Sequence, residues 1–385
     1  MIFKMARKNV LIEGWRGINH SYAMVNQFQL LELRKREDLC LFHRDLPFYR
    51  GEWNESRNAS GFSAPQRALI DSIPRHQGEP IDAIYRISYP YRIYGGESRK
   101  ILCFGTSEYQ RLGPEHFYRG SESNAAYSNN AVKIITPSHW SKAGFVNYGF
   151  APEEVIVIPH GVDPSTFYPC SKEERIEGRK LLGLPLDKFL FLNVGAMTLN
   201  KGVEKLVQGF SAVVRKHPQV MLLLKDQSNL YGIRGDAAVR RVQDLYPDTI
   251  DAEVLGSIGL ISANLTLAEL RTLYGACDAY VAPYRAEGFN LPPLEAAACG
   301  VPIIVTDGGP TDDYCHRSFA LKISSTKRSD ENLGNYLEPD LDSLIHCMET
   351  LLENRAKDLD WSQAAAWIGE TFSWASIVRR LAPHF

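Results

Sequence analysis

The chain lacks the features that mark several large classes of protein. It has no run of about 18 apolar residues, so no transmembrane helix is expected. Near the N-terminus the apolar run Val10–Ile12 is too short for the hydrophobic region of a signal peptide. With 43 Lys and Arg against 45 Asp and Glu, the net charge of −2 provides no basic field for nucleic acid. We therefore expect a cytoplasmic protein with no nucleic-acid partner.

The cysteines show no pattern that indicates a disulfide framework or a zinc site. The chain has seven of them, an odd number, and none forms a C-x-x-C pair. Most lie in apolar stretches, as small buried side chains do. The loop after the first predicted strand, EGWRGINHS at residues 13–21, also lacks the G-x-G-x-x-G fingerprint of nicotinamide cofactors. We expect reduced thiols, no metal and no cofactor.

What the chain does contain is a regular alternation of strand-like and helix-like segments. Apolar runs typical of buried strands occur in two series of six, with helical patterns such as Val203–Lys216 between many of them. The first series is Val10–Ile12, Leu39–Phe42, Ile81–Ile87, Ile101–Phe104, Val132–Thr136 and Val155–Pro159. The second is Phe189–Val194, Val220–Leu224, Val254–Gly256, Ala279–Ala282, Ile303–Thr306 and Phe319–Ile323. Such alternation predicts α/β architecture, with parallel sheets covered by helices on both faces.

The two series predict two domains within the 385 residues. Prolines and a polar run interrupt the alternation at Pro164–Lys172, which places the boundary there. The predicted domains are therefore residues 1–168 and 169–367. Open α/β sheets bind ligands at the carboxyl ends of their strands, so we expect the site in the cleft between the domains.

The richest segment is Tyr280–Gly309, which begins YVAPYRAEGFNLPPLEAAACG. Its two glutamates, Glu287 and Glu295, flank a glycine loop that lies between a predicted strand and a predicted helix over Leu294–Cys299. The N-terminus of a helix presents free N–H groups and a positive dipole end to an anion. Carboxylates beside a phosphate site suit a ligand that also carries hydroxyls, as a nucleotide-sugar does.

This segment resembles the E-x7-E region of retaining glycosyltransferases of the GT-B fold, family 4 type. The resemblance implies two Rossmann-like domains with parallel sheets facing across a cleft, and a C-terminal tail, 368–385, that packs back on the N-terminal domain. It further implies that Glu287 binds hydroxyls of the donor sugar and that Glu295 binds the ribose. The backbone of Gly288, Phe289, Asn290 and Leu291 would meet the sugar and the phosphates. A loop charge at Glu287 and a solvated helix residue at Glu295 are the alternative.

The stretch Asn193–Phe210 is similar to the G-R-x(4)-K-G motif of the same family. Gly195 and Lys201 match it, and Lys201 would meet the diphosphate as a point charge that offsets the charge of the leaving group. Ala196 occupies the place of the arginine, which removes a bidentate phosphate donor. We predict that Lys225, directly after a strand, substitutes for it. Lysines on the protein surface are the alternative for both positions.

The acceptor side carries weaker signals. Gly14 and Gly17 would let the first loop approach donor phosphate or acceptor closely, and Gly17 is our candidate for the donor contact. The candidates for acceptor contacts are Arg16, Asn19, His20 and Glu108. His20 as an ordinary residue at the start of a helix is equally compatible with the sequence. For His160 in IPHGVDPSTFYP, a structural role in the turn is favoured over catalysis.

For other charged segments, a role in capping or ending a helix is favoured over ligand binding or catalysis. Asp312 and Asp313 are predicted to cap a helix, and Asp340 is predicted to cap the helix that begins at Leu341. Arg34-Lys35-Arg36 is predicted to be a solvated helix end; a weak peripheral membrane contact is the alternative.

The sequence therefore predicts a retaining glycosyltransferase that moves a sugar from a UDP- or GDP-sugar to a hydroxyl of a glycan, glycolipid or related acceptor. Glu287, Lys201 and Lys225 are the predicted catalytic residues, and no metal is required. The nucleotide base would contact backbone groups around Gly256–Leu260. Two alternatives remain: a non-catalytic binding or scaffold subunit on the same fold, and a sugar-nucleotide epimerase.

Overall fold

The computed structural model describes residues 7–93, 100–118, 132–354, 356 and 359–385. The chain divides into two compact units. The N-terminal unit comprises Met1–Gly161 together with Trp374–Phe385, and the C-terminal unit comprises Val162–Ser373.

The N-terminal unit contains one sheet of six parallel strands, in the order β2-β1-β3-β4-β5-β6. Its strands are β1 (Lys8–Gly14), β2 (Leu39–Asp45), β3 (Ala83–Ile87), β4 (Ile101–Phe104), β5 (Val132–Thr136) and β6 (Val155–Val157). Strands β3 and β4 are buried along their whole length, as expected of a sheet covered on both faces.

The C-terminal unit contains a second parallel sheet of six strands, in the order β12-β11-β10-β7-β8-β9. Its strands are β7 (Phe189–Val194), β8 (Val220–Lys225), β9 (Ile258–Ile261), β10 (Ala279–Ala282), β11 (Ile303–Thr306) and β12 (Ala320–Ile323). An antiparallel hairpin follows, formed by β13 (Ser325–Asp330) and β14 (Gly334–Pro339). The chain leaves β7 toward β8 on one side and later returns to β10 on the other. The carboxyl ends of β7 and β10 therefore form the topological switch point, where open α/β sheets bind ligands.

Helices connect the strands of both units. In chain order they are α1 (Ser21–Leu33), α2 (Glu55–Asn58), α3 (Ala64–Asp71), α4 (His139–Tyr148), α5 (Lys172–Leu181), α6 (Val203–Lys216), α7 (Ser228–Tyr231), α8 (Gly235–Leu245), α9 (Ala252–Gly256), α10 (Leu267–Ala276), α11 (Leu291–Ala298), α12 (Leu341–Leu352), α13 (Trp361–Thr371) and α14 (Trp374–Leu381). Short 3₁₀ turns lie at Pro114–His116, Pro152–Glu154, Leu199–Lys201, Pro310–Asp313 and Ala382–His384. Within the described ranges, no helix combines the length and apolar character needed to cross a membrane.

Helix α6 illustrates how the sequence builds the C-terminal core. Its apolar residues recur every three or four positions, so Leu206, Phe210 and Val213 share one face and all are fully buried. This face packs on strand residues such as Leu222 and Ile304 in one continuous apolar cluster. Burial of a large apolar side chain contributes about 1.5–3 kcal/mol, so α6 is held firmly on the sheet.

The last helix belongs to the N-terminal unit. The Trp374 ring stacks on Phe28 of α1, with ring centroids 5.2 Å apart and an interplanar angle of 10°. The backbone oxygen of Phe385 accepts hydrogen bonds from the ammonium groups of Lys8 (2.7 Å) and Lys100 (2.9 Å). Where the chain leaves the C-terminal unit, Val162 N–H donates to the carbonyl of Phe372 (2.8 Å), so two distant parts of the sequence run side by side.

The predicted α/β architecture with two parallel sheets is confirmed, and several elements have the predicted bounds, among them β7, β10 and α6. The strand predicted at Val254–Gly256 is wrong. Those residues end helix α9, because the Asp251 carboxylate accepts hydrogen bonds from the Glu253 and Val254 amides and starts a helix. Strand β9 follows at Ile258–Ile261, so the region predicted to contact the base does not lie at a strand's carboxyl end.

Two predictions about helix caps have different outcomes. The Asp340 side chain accepts a hydrogen bond from Ser343 N–H (2.8 Å) and caps α12, as predicted. Asp312 lies in a 3₁₀ turn and does not cap a helix. Its carboxylate accepts a hydrogen bond from Gly308 N–H (2.8 Å) and pairs with Lys322 (2.6 Å), so it closes the loop after β11.

Candidate functional site

Lys201 and Glu287 form an ion pair at the switch point of the C-terminal sheet. Lys201 ends the 3₁₀ turn after β7, and Glu287 lies in the loop after β10, so the two strands that flank the switch point each supply one charge. Only 5% of the Glu287 side chain is exposed, whereas 24% of the Lys201 side chain is exposed. The lysine side chain is therefore partly exposed while its ammonium is paired with the carboxylate.

Asn200 holds the lysine turn against the glutamate loop. Its carbonyl accepts hydrogen bonds from the amides of Arg285 (2.7 Å) and Ala286 (3.3 Å). Its side-chain amide donates to the carbonyl of Ala286 (3.2 Å). Asn200 directly precedes Lys201, and its partners Arg285 and Ala286 lie one or two residues before Glu287. These hydrogen bonds therefore fix the spacing of the charged pair.

Gly202 allows the closest approach of the two loops. It has φ +69°, and a Cβ built on it would lie 1.8 Å from the carbonyl oxygen of Pro283. Only glycine combines that conformation with that space. Gly195, in the loop after β7, has φ +154°, and a Cβ there would make an ordinary van der Waals contact with the Cε atom of Lys201 (3.8 Å).

Lys225 lies beside this pair at the end of β8. Its carbonyl accepts a hydrogen bond from Gly195 N–H (3.0 Å), which places it next to the loop of Lys201. The side chain is buried, and its ammonium donates to the carbonyl of Asp226. Burial lowers the pKa of Lys225, and the Asp226 carboxylate opposes this effect.

Tyr314 contacts the loop Gly288–Leu291 where it enters α11. Phe289 stacks on Tyr314 with ring centroids 4.7 Å apart, and the Tyr314 hydroxyl donates to the carbonyls of Phe289 (3.3 Å) and Asn290. Asn290 has φ +73° and precedes the helix, which begins at Leu291, three residues before the predicted start. Since the next two residues are prolines without N–H groups, the backbone donors at this end come from the loop and from Leu291.

Glu295 lies one turn into α11 and has a partner that sequence reasoning missed. The hydroxyl of Tyr274, which is fully buried in α10, donates to a carboxylate oxygen of Glu295 (2.8 Å). Burial raises the pKa of Glu295 to about 7, and the Tyr274 hydrogen bond acts in the opposite direction. Burial raises the pKa of Tyr280, and the charges of the nearby Glu287 and Glu295 raise it further.

The N-terminal candidates are engaged within their own unit. Arg16 forms a bidentate ion pair with Asp45, with N–O distances of 2.8 and 2.7 Å. Gly17 has φ +81°, its N–H donates to Gln27 (3.0 Å), and its carbonyl accepts from Ser60 N–H (3.0 Å). Both backbone groups of Gly17 are therefore used within the unit, so any contact with the donor would be made through its Cα.

His20, Asn19 and Glu108 occupy distinct positions. His20 caps α1, since its Nδ1 accepts from Tyr22 N–H (3.2 Å), and burial lowers its pKa to about 3. Asn19 N–H donates to the carbonyl of Asn58 (2.7 Å). Glu108 is exposed, and its carbonyl accepts from the indole of Trp140 (2.7 Å). His20 thus has the capping role that the sequence left open, and the exposed Glu108 side chain is accessible for ligand contact.

Two further candidates have structural surroundings. His160 is buried, and its ring centroid lies 5.5 Å from that of Phe104 and 6.3 Å from that of Trp374. Burial lowers the pKa of His160 to about 3. At the basic segment, Lys35 pairs with Glu32 (2.6 Å) and Arg36 with Asp38 (2.7 Å). No group of three or more His, Cys, Asp or Glu side chains in the described ranges is placed to hold a metal ion.

Comparison with known proteins gives a consistent family match. The model of the family "Glycosyl transferases group 1" matches residues 174–366, half of the chain. D-inositol 3-phosphate glycosyltransferase of Kineococcus radiotolerans is 29% identical over 231 residues, which cover 60% of this chain and 51% of the relative. Mannosylfructose-phosphate synthase of Agrobacterium fabrum is 27% identical over 163 residues, 42% of this chain and 35% of the relative. The chain thus spans about half the length, or less, of these relatives.

Solved structures show the same fold across almost the whole chain. HepE of Anabaena, crystallised with UDP and glucose, aligns with a TM-score of 0.66 and 16% identity over 98% of this chain and 99% of its own. Sucrose-phosphate synthase from Thermosynechococcus elongatus aligns with a TM-score of 0.66 and 17% identity over 98% of both chains.

Proposed function

The chain belongs to the family of glycosyl transferases group 1, and from this premise we propose that it moves a sugar from a nucleotide diphosphate to a hydroxyl acceptor. The observation that carries the proposal is the ion pair of Lys201 and Glu287 at the switch point of the C-terminal sheet. The pair offers a cation for phosphate and a carboxylate for sugar hydroxyls at the place where this architecture binds ligands.

In the proposed reaction the bond between the anomeric carbon and the phosphate oxygen breaks, and negative charge develops on the diphosphate. Lys201 and Lys225 would stabilise that charge, together with the backbone amides of the Gly288–Leu291 loop. An ammonium has three N–H donors, so Lys201 can hold Glu287 and a phosphate oxygen together. With these cations in place, we propose that the reaction requires no metal.

We further propose that the anomeric configuration is retained. Glu287 is held by Lys201 and would orient the sugar through its hydroxyls without attacking it. The departing phosphate oxygen would take the proton from the acceptor hydroxyl, whose oxygen then bonds to the anomeric carbon on the same face. Glu295 is assigned to the ribose, so no second carboxylate in the E-x7-E segment serves as a nucleophile.

UDP and GDP are the proposed nucleotides of the donor. UDP is the first to test, since the structurally similar Anabaena protein was crystallised with it. Since β9 ends at Ile261, we move the proposed base contact from Gly256–Leu260 to the residues that follow β9. There Ser262 donates to the Asp226 carboxylate (2.6 Å), which fixes the loop. For the acceptor we propose a hydroxyl of a glycan, a glycolipid or a small phosphorylated polyol, the last from the names of the similar proteins.

The first test is calorimetric titration of the protein with UDP, GDP and dTDP, with Glu295→Ala as the control variant. We expect one nucleotide to bind, and we expect Glu295→Ala to weaken that binding by about tenfold or more, because the ribose hydroxyls lose a carboxylate acceptor. If none of the three binds, the alternative of a non-catalytic subunit is supported instead, which the loss of the motif's arginine at Ala196 already favours.

Nucleotide binding is also expected to depend on pH through Glu295. Ribose hydroxyls donate to the ionised carboxylate, and with a pKa of about 7 that form is the minor one at pH 6 and the major one at pH 8. Affinity should therefore rise about tenfold from pH 6 to pH 8. The glutamine in Glu295→Gln does not titrate in this range, so titrations of that variant report the pH dependence of affinity that the phosphates alone contribute.

Tyr274→Phe provides a second check on this pH dependence. It removes the hydrogen bond that lowers the pKa of Glu295, so the midpoint of the affinity profile should move to higher pH. Equal pH profiles for the wild type and Glu295→Gln would contradict the ribose assignment.

A further inference from the structure

The hairpin β13–β14, which the sequence analysis did not identify, lies directly against the loop that carries Glu287. Leu337 N–H of β14 donates to the carbonyl of Arg285 (2.8 Å), two residues before Glu287. The Leu337 side chain is 2% exposed and packs over Gly309, where an added Cβ would lie 2.9 Å from it. The hairpin is therefore joined to the site loop by a backbone hydrogen bond and to the loop after β11 by a buried apolar contact.

Arg285 connects three segments of the C-terminal unit. Its amide donates to the carbonyl of Asn200 in the lysine turn (2.7 Å). Its guanidinium donates to both carboxylate oxygens of Glu338 (3.0 and 3.3 Å) and to the carbonyl of Leu199 (3.4 Å). One buried residue thus ties the turn of Lys201, its own loop and the hairpin together.

Glu338 completes the connection to α6. Its carboxylate also pairs with Lys205 (3.0 Å), a residue of the helix that begins just after the lysine turn. Burial disfavours its charge, but hydrogen bonds from Arg285 and Lys205 outweigh this, so the pKa of Glu338 lies below its ordinary value. The carboxylate is therefore ionised at neutral pH and holds two cations from different segments.

We propose that Arg285 and Glu338 are positioning residues, through which the hairpin holds Glu287 and Lys201 at the spacing that donor binding needs. The expected effect on sugar transfer rests on the proposed function. The expected restraint of the Glu287 loop by the hairpin does not. Small displacements of site groups have large effects, since a shift of about 1 Å can cost about 10²-fold in rate. Glu338 and Arg285 would not touch the sugar themselves.

The first experiment measures hydrogen–deuterium exchange of the amides of residues 284–291 in the wild type and in Glu338→Gln. The matched control is Glu349→Gln, because Glu349 also pairs with a lysine of α6, Lys216 (2.8 Å), away from the site loop. We expect exchange in Glu338→Gln to be about tenfold faster for this loop, while the strands of the sheet and the control variant keep wild-type exchange. Wild-type exchange of the loop in Glu338→Gln would overturn the proposal.

The second experiment is a double-mutant cycle with sugar-transfer activity. Glu338→Gln is expected to lower kcat/KM for the donor about tenfold, and to have little further effect in a Glu287→Gln background, since both act on the same contact. A loss that persists in full in that background would show that Glu338 does not act through Glu287. Absence of transfer by the wild type would contradict the proposed function, while the exchange data would still show whether Glu338 restrains the Glu287 loop. Arg285→Lys repeats both tests if Glu338→Gln folds poorly.

Discussion

Replacing Glu287 by alanine is expected to lower kcat/KM for sugar transfer by about 10³-fold. The carboxylate is 5% exposed and is the partner of Lys201, so its loss removes both the acceptor for the sugar hydroxyls and the group that directs the ammonium. The measurement is the initial rate of product formation over a range of donor concentrations.

Nucleotide binding provides the control for Glu287→Ala. Because Glu295 and the loop amides are untouched, affinity for the nucleotide diphosphate alone should fall much less than the rate of transfer, with only the redirected Lys201 ammonium to weaken it. Glu349→Ala, which removes a carboxylate from another lysine pair, should leave transfer unchanged. Transfer at the wild-type rate in Glu287→Ala would contradict the proposed mechanism.

Replacing Gly202 by alanine is expected to destabilise the C-terminal unit by about 2–4 kcal/mol, the largest effect on stability that we predict. A Cβ at this position would lie 1.8 Å from the Pro283 carbonyl, and φ +69° adds a conformational cost of about 1–2 kcal/mol. For a unit of this size the thermal midpoint should fall by roughly 5–10 °C, which scanning calorimetry measures. Nucleotide-sugar binding should also weaken, because the lysine turn must move away from β10.

Gly183→Ala is the matched control for this substitution. Gly183 has φ +65°, and nothing lies within 4 Å of the Cβ that alanine would add, so only the conformational cost applies. Its thermal midpoint should fall by only about 2–4 °C. Equal shifts for the two variants would mean that the Pro283 carbonyl moves aside easily and that the contact does not restrain the site.

Much of the fold was predictable because each buried strand is a short apolar run bounded by turn residues. Strands β7 and β10 have their predicted bounds for this reason, and helix α6 was predictable because its apolar residues recur every three or four positions. The prediction for Val254–Gly256 failed because two apolar residues and a glycine do not distinguish a strand from a helix end, and the Asp251 cap starts a helix there. The hairpin was missed because β13 is almost entirely exposed and carries no apolar pattern.

At the site, the sequence indicated which residues matter but not which of them meet. The motif spacing singled out Lys201 and Glu287, whereas their ion pair depends on two strands that are adjacent in the sheet but distant in the chain. Tyr274 and Arg285 could not be found from the sequence, because a hydrogen bond to Glu295 or Glu338 leaves no spacing signal. For Gly17, the sequence suggested only an approach to a ligand, whereas the structure shows that the glycine also makes room for the Glu55 carboxylate, which would lie 2.0 Å from an added Cβ.

The chain crosses between the two units twice, at Val162 and at Ser373, and this arrangement has a consequence for biosynthesis. The C-terminal unit is one continuous stretch of sequence, whereas the N-terminal unit is built from its beginning and its end. A ribosome therefore makes the first sheet early, but α14 reaches α1 only after the whole second unit has been made. The N-terminal unit is therefore completed only after the C-terminal unit has been made, and until then the Phe28 ring lacks the stacking contact with Trp374.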